Sequence, residues 1–473
     1  MVQHPPSQRP DPSERIERSP LEMRVLSRYF VWWRAILVAL VVAGVSALGA
    51  QLLLTADSVR YAFGAVAVLC LGILIFLRPI VGFWSYYFMA FGRPHDVVWG
   101  LTGLRISLGL AVFALVAVVA HLILHRRPFF GRHPLSLSML GICAVVAASG
   151  LAAGGDYDRM IELVKMLLFA TLFSWWIDRR SWVRQGLWLV AISCGFLTFW
   201  ALHQRFFEGV YMLVGPGTGR ATFKDRNFFS MVLLIAIPFY WYFAQATRRL
   251  VLRILLYALI PLTVFCVFLT ASRGGLLGVA GIAGAIGWQS RHRWPAVIGG
   301  LVLVAGFYVV AAPPTLKNRA DTIVNYEGES SAEGRINSWK AGTNMMLHNP
   351  FLGVGPGNYV KNYSRYHDSA PRQAHNSLVQ MGGEYGLLGL ILFVLFQWQL
   401  SRSLLRSRDL ALSREDEEAA RFARILWASL VGYWVTAFFL SAEGLEFIYY
   451  YAALAVGLEV VLRREGARQE EAA

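Results

Sequence analysis

Long apolar runs separated by short polar connections set the pattern of this chain. Runs near the roughly 20 residues that cross a bilayer recur at 35–54, 61–77, 79–93, 104–124, 135–152, 160–177 and 186–204. A second set lies at 227–246, 254–271, 274–289, 295–312, 377–400, 424–441 and 445–462. The pattern predicts an all-α polytopic membrane protein with about 12–14 transmembrane helices. Segment 79–93 is short and follows Arg78-Pro79, so it reads as re-entrant or as part of its neighbour. The first run comes after about thirty polar, Arg- and Pro-rich residues, unlike the start of a signal peptide.

Alternation assigns the sides. With the basic tail 1–34 inside, the inner connections are His125–His133, Asp178–Gln185, Thr247–Arg253, Ser290–Trp294 and Ser401–Arg424. Each carries clustered arginines, and the tail 463–473 with Arg463-Arg464 falls on the same side, as the positive-inside rule requires. The chain then divides into helices 35–204, helices 205–312, a long outer loop 313–376 and helices 377–462. Outer connections are short turns except His203–Arg226 and Pro313–Asn376, and loops of the latter's length are usually functional. Within it, Ser330-Ser331-Ala332-Glu333 resembles a capping box opening a helix that His348-Asn349-Pro350 closes. Ile336, Trp339, Thr343 and Met346 share one face of that helix, which is expected to lie on the membrane surface or over the spans.

Composition agrees with a membrane protein: 56 % of residues are hydrophobic and 15 % charged, against about a quarter charged in soluble domains. The net charge of +15 arises from arginines dispersed between spans, which argues against a nucleic-acid partner. Cys70, Cys143, Cys194 and Cys266 all lie in apolar runs and read as packing residues rather than a disulfide or metal framework.

Polar clusters mark where chemistry can occur. Arg220 and Arg226 precede the span at Asn227, Ser272-Arg273-Gly274-Gly275 opens the span at 274, and His375-Asn376-Ser377 opens the span at 377. All three spans run from outside to inside, so three helix N-termini face outward, where free N–H groups favour anions. With Arg220, Arg226 and Arg273 they outline a diphosphate site, since guanidinium forks match phosphate oxygens. Arginines at helix ends also anchor headgroups or pair with acids, and Arg226 has Asp225 beside it. His375 is a candidate general base that a helix N-terminus keeps neutral, or else a capping residue. Glu384, three turns into the membrane, either orients a site partner or forms a structural ion pair. The run Asn349-Pro350-Phe351-Leu352-Gly353-Val354-Gly355-Pro356-Gly357-Asn358 reads as a shaped outer turn and not a dinucleotide fingerprint. No P-loop, CxxC pair or HExxH occurs in the chain.

Read together, Pro350–Asn358, His375-Asn376-Ser377-Leu378 and Glu384-Tyr385-Gly386-Leu387-Leu388-Gly389 resemble the O-antigen ligase/polymerase superfamily. The Arg220…Asn227 segment and Ser272-Arg273-Gly274-Gly275 are similar to that family's two earlier signatures, so the likeness spans about 215–390. The spacing from His375 to Gly386 matches the ligases' His-ten-Gly motif. The resemblance implies a GT-C-like, metal-independent, inverting glycosyltransferase with no cofactor. Its donor is a glycan on undecaprenyl diphosphate at the periplasmic face of a bacterial inner membrane, with both termini cytoplasmic, and its acceptor is lipid A–core. It further implies that His375 activates the acceptor hydroxyl, while Arg220, Arg273, Arg335 and Asn376 bind substrate. The chain departs from the pattern in its span count and in Arg226, which stands where the family has proline.

A polysaccharide polymerase, a protein O-glycan ligase and a small-anion transporter are the rival readings. A transporter predicts discontinuous helices with polar groups near the midplane in repeated halves. The sequence shows no such repeat, and its charged groups concentrate at one face.

Overall fold

The structure is a computed structural model that describes residues 69–97, 106–124, 133–217, 224–289 and 330–472. Residues 1–77 form one unit, of which 69–77 are helical; 78–473 form a second, described from here on. Every regular element in the described residues is helical, so the protein is an all-α polytopic membrane protein. In order they are α1 (Pro79–Gly92), α2 (Ile106–Leu124), α3 (Pro134–Ala153), α4 (Tyr157–Trp176), α5 (Arg180–Phe206), α6 (Arg226–Leu234) and α7 (Ile237–Ala246). There follow α8 (Leu250–Leu269), α9 (Arg273–Gln289), α10 (Ser330–His348), α11 (Ser377–Ser413), α12 (Glu417–Ala437) and α13 (Glu446–Ala472). Five stretches among the described residues are long and apolar enough to cross a membrane: α3, α5, α6–α7 together, α8 and α11. The spans read at 35–54 and 295–312, and most of 61–77, lie outside the described residues.

Short polar side chains start these helices. Asp156, Asp225, Asn376 and Asp416 each accept backbone N–H groups of the first turn of α4, α6, α11 and α12. Ser272 Oγ does the same for Gly275 at 3.2 Å. Such caps satisfy donors that the helix itself leaves free.

Burial separates the centre from the rim. The α6–α7 span is 89 % buried and forms the spine, whereas α8 is 33 % buried and turns Leu250, Val251, Ile254 and Leu255 outward. Glycines allow the closest helix contacts: Gly278 of α9 lies against Thr436 and Leu234, and Gly432 of α12 against Ile282. Small residues let backbones approach where lipid removes any hydrophobic preference between helices.

Two spans among the described residues are discontinuous. Between α6 and α7 the chain turns at Ile235-Ala236, ahead of Pro238, which has no N–H to donate. Ser429 Oγ donates to the Ile235 carbonyl at 2.7 Å and so covers an oxygen left by the break. In α11 the break is Gly386, with φ 68° and ψ −170°. The Gly-rich run reaches into this break: Val354 N–H donates to Gly383 O, Gly355 N–H to Glu384 O, and Leu387 N–H to Pro350 O at 2.7 Å. Ser149 Oγ adds bonds to Leu352 O and Glu384 O. The shaped turn is therefore the hydrogen-bonding partner of the helix that follows it.

Above the spans, α10, the short helical turns Tyr359–Asn362 and Tyr363–Arg365, and the strand-like lead to α11 share a small core. It contains Ala341, Met345, Val354, Tyr359, Tyr363 and Ala374. The helix expected between Ser330 and His348 is present, and on the face read from sequence Trp339 and Met346 are half-buried. Ser338, Ala341, Gly342 and Met345 are buried, while Ile336 and Thr343 are exposed. Close approach decides this, because a Cβ on Gly342 would collide with Val379 and with Tyr359.

Candidate active site around His375

His375 sits in a short lead-in fixed from both sides. Before it, the Ala374 N–H donates to Gln380 Oε1 at 3.3 Å and the Ala374 carbonyl accepts from Trp339 Nε1 at 3.0 Å. Ser338 Oγ holds the Gln373 carbonyl at 2.8 Å. After it, Asn376 Oδ1 accepts from Leu378 and Val379 N–H groups, and Asn376 Nδ2 donates to Phe438 O at 3.1 Å. Between these clamps His375 has φ 48°, a left-handed backbone that costs a non-glycine residue about 1–3 kcal/mol. Strain of this kind persists only where neighbours impose it.

The imidazole lines a cavity of about 960 Å³. Its Nδ1 is buried with no hydrogen-bond partner among the described residues. Burial pushes the imidazole below the usual histidine range, the Arg335 and Arg372 charges push the same way, and Asp225 opposes them. The ring is thus held neutral at neutral pH, the state in which it accepts a proton.

Around the same cavity stand Asp225 at the start of α6, Arg159 and Lys165 on α4, Glu384 on α11, and Glu443 in the α12–α13 turn. Glu384 is hydrogen-bonded: its Oε1 accepts Gln380 Nε2 at 2.7 Å and the Tyr359 N–H at 3.4 Å. Gln380 is the link, since its Oε1 also accepts from Ser441 Oγ at 3.1 Å. Glu384 thus reaches the His375 lead-in through Gln380, whose Oε1 holds the Ala374 N–H. Glu443 is 4 % exposed; Arg159 Nη2 lies 3.6 Å from its Oε1, and its Oε2 is buried without a partner. Burial pushes the Glu443 carboxyl up, and Arg159 pulls it back.

The starts of α6 and α9 touch, and those of α9 and α11 both contact the segment that follows α12. Gly275 of α9 packs on Ser230 of α6, Gly274 on Phe439, and Asn376 of α11 bonds the Phe438 carbonyl. Arg273 is the first residue of α9 and half-buried, but it is not among the described residues that line the cavity. Arg335 acts on His375 through its charge from α10. Asn376 serves as the N-cap, with its amide engaged at both ends. Arg220 lies outside the described residues. Asp225 caps α6 through Oδ1, at 2.8 Å from the Asn227 N–H, and Arg226 Nη1 reaches Met212 Sδ.

Arg159, Gln380 and Glu443 were not singled out from sequence. One signal was available: Arg159, Glu162 and Lys165 repeat at helical spacing on the first turns of an apolar helix, where charge is costly. Glu443 has no such signal, because only the fold brings it to Arg159.

Residues 256–394 match the family model described as O-antigen ligase. This segment contains Arg273, Arg335, His375 and Glu384, and the match supports a place for the chain in the O-antigen ligase-like superfamily. No curated protein matches the sequence.

Proposed function

From an O-antigen ligase-like segment that carries His375, we propose that the protein transfers a glycan from undecaprenyl diphosphate to an acceptor hydroxyl of lipid A–core at the periplasmic face of the inner membrane. The observation that carries this reading is His375 itself: a neutral imidazole, clamped in a strained backbone, on the wall of a cavity large enough for a sugar. In the reaction the acceptor oxygen attacks the anomeric carbon and its proton passes to His375. The bond from that carbon to the diphosphate oxygen breaks, and the diphosphate leaves with the electron pair. A single in-line displacement inverts the anomeric centre.

Arg220, Arg273 and Arg335 are proposed to hold the diphosphate together with the N-termini of α6, α9 and α11. Fixed cations and helix dipoles stabilise charge on a leaving group without reorganising during the reaction. Asn376 contributes by setting the angle at which His375 enters the cavity.

The test is a transfer assay with purified protein, undecaprenyl-diphosphate glycan and lipid A–core. His375→Ala is expected to lower kcat by at least two to four orders of magnitude, the range of general-base catalysis, while donor affinity is kept. Full activity of that variant sinks the mechanism. Elongated lipid-linked chains would make the protein a polymerase, and uptake without covalent transfer would make it a transporter.

A further inference from the structure

The cavity holds a second polar group that the transfer chemistry does not use. Arg159 on α4 is near two carboxylates, Glu443 at 3.6 Å and Glu162 at 3.8 Å. Both separations exceed the 2.7–2.9 Å or so of a charge-assisted hydrogen bond. Glu443 lines the same space, its Oε2 is buried and, among the described residues, unpartnered, and an unsatisfied buried carboxylate oxygen is unfavourable. The arrangement is built rather than incidental. Gly444 gives the guanidinium its room, since a Cβ there would lie 2.6 Å from Arg159 Nη2. The Asp156 backbone, one turn before Arg159, is tied to the Pro356 carbonyl at 2.8 Å.

We propose that Arg159 and Glu443 form a sugar-binding subsite, in which one substrate hydroxyl donates to Glu443 Oε2 and accepts from the Arg159 guanidinium. A sugar hydroxyl fits, because its one oxygen both donates to the carboxylate and accepts from the guanidinium. A phosphate would meet Glu443 as a like charge, so the diphosphate belongs elsewhere in the site. The subsite therefore reads the glycan rather than the lipid carrier. It rests on the glycan-transferase reading, and the sugar it holds comes from the donor or from the acceptor.

The experiment measures binding to the full chain in detergent by calorimetry, with three probes: undecaprenyl diphosphate bearing a neutral oligosaccharide, bare undecaprenyl diphosphate, and lipid A–core. Glu443→Gln keeps the shape and removes the charge, and it is expected to weaken one glycan-bearing probe at least tenfold while bare undecaprenyl diphosphate binds as before. The probe that suffers identifies the source of the sugar. Gly444→Ala, which crowds Arg159 but keeps the carboxylate, is expected to weaken the same probe, and thermal unfolding checks that both variants fold. Unchanged affinity for both glycan probes, or equal loss on the bare lipid, overturns the subsite. If Glu443→Gln does not fold, Arg159→Gln and Gly444→Ala carry the same test. A wild-type protein that transfers no glycan, yet binds one through Glu443, would end the transferase reading and leave the subsite standing.

Discussion

His375 combines a strained backbone, an orphaned ring nitrogen and two neighbouring guanidinium charges. Its proton affinity is lowered first by burial, then by Arg335 and Arg372. As proton acceptor the ring works only when unprotonated, so a lowered pKa extends activity toward acid. The plot of kcat against pH is expected to rise with a midpoint below about 6.5, the ordinary histidine value, and to be level at neutrality. Arg335→Ala removes a repulsive charge and is expected to move the midpoint up, whereas Asp225→Asn removes an attractive one and moves it down. Shifts of the opposite sign would remove His375 from the role of base. The candidate histidine was legible in the sequence because it opens an apolar span. Its supports, Gln380 and Trp339, were not, because an Ala374 backbone clamp leaves no mark on residue type.

At the scale of elements, local chemistry was readable and long-range fit was not. Asn376 as the start of a span, and the helix between Ser330 and His348, follow from capping residues and periodicity. The most buried positions of α10, Ser338, Ala341 and Gly342, did not follow, since small residues there serve proximity rather than apolar area. The interruptions at Ile235-Ala236 and Gly386 were equally hidden, because hydropathy runs straight through both. Gly386 adopts a backbone nearly restricted to glycine, and a Cβ there would lie 2.7 Å from the Pro350 oxygen. Gly386→Ala is expected to destabilise the protein by about 1–3 kcal/mol or more, and to free the Pro350–Asn358 turn from α11. Thermal unfolding in detergent and proteolysis of that turn measure the two effects. Unchanged stability would mean that the break is not held by this contact.

At the scale of the whole molecule, the candidate site and the arginine-rich connections lie at opposite ends of α11. The arginine-rich connections meet away from His375, where Arg180 joins Asp416 and Glu465, Arg184 joins Glu418 at 2.7 Å, and Arg464 joins Asp178 at 3.1 Å. They link α5, the α11–α12 turn and the end of α13. The Asp416 carboxyl feels burial pushing it up, but the Arg180 bonds outweigh this and hold it below the carboxylate range. These groups are partly exposed, so Arg180→Ala is expected to cost only about 1 kcal/mol, less in high salt, with no effect on glycan affinity. Unfolding temperature at two salt concentrations, beside the calorimetric titrations, checks both halves. A large fall in glycan affinity would mean that the two ends are coupled.

The stitched break in α11 also gives that helix a second conformation to choose. Without the Pro350–Asn358 turn, the Gly383 carbonyl and the Leu387 N–H stand four residues apart and can bond each other, as in any regular helix. Docking of the turn trades those bonds for its own, so α11 is straight when alone and broken when the turn is seated. The break is thus a record of contact: its presence reports that the turn is home.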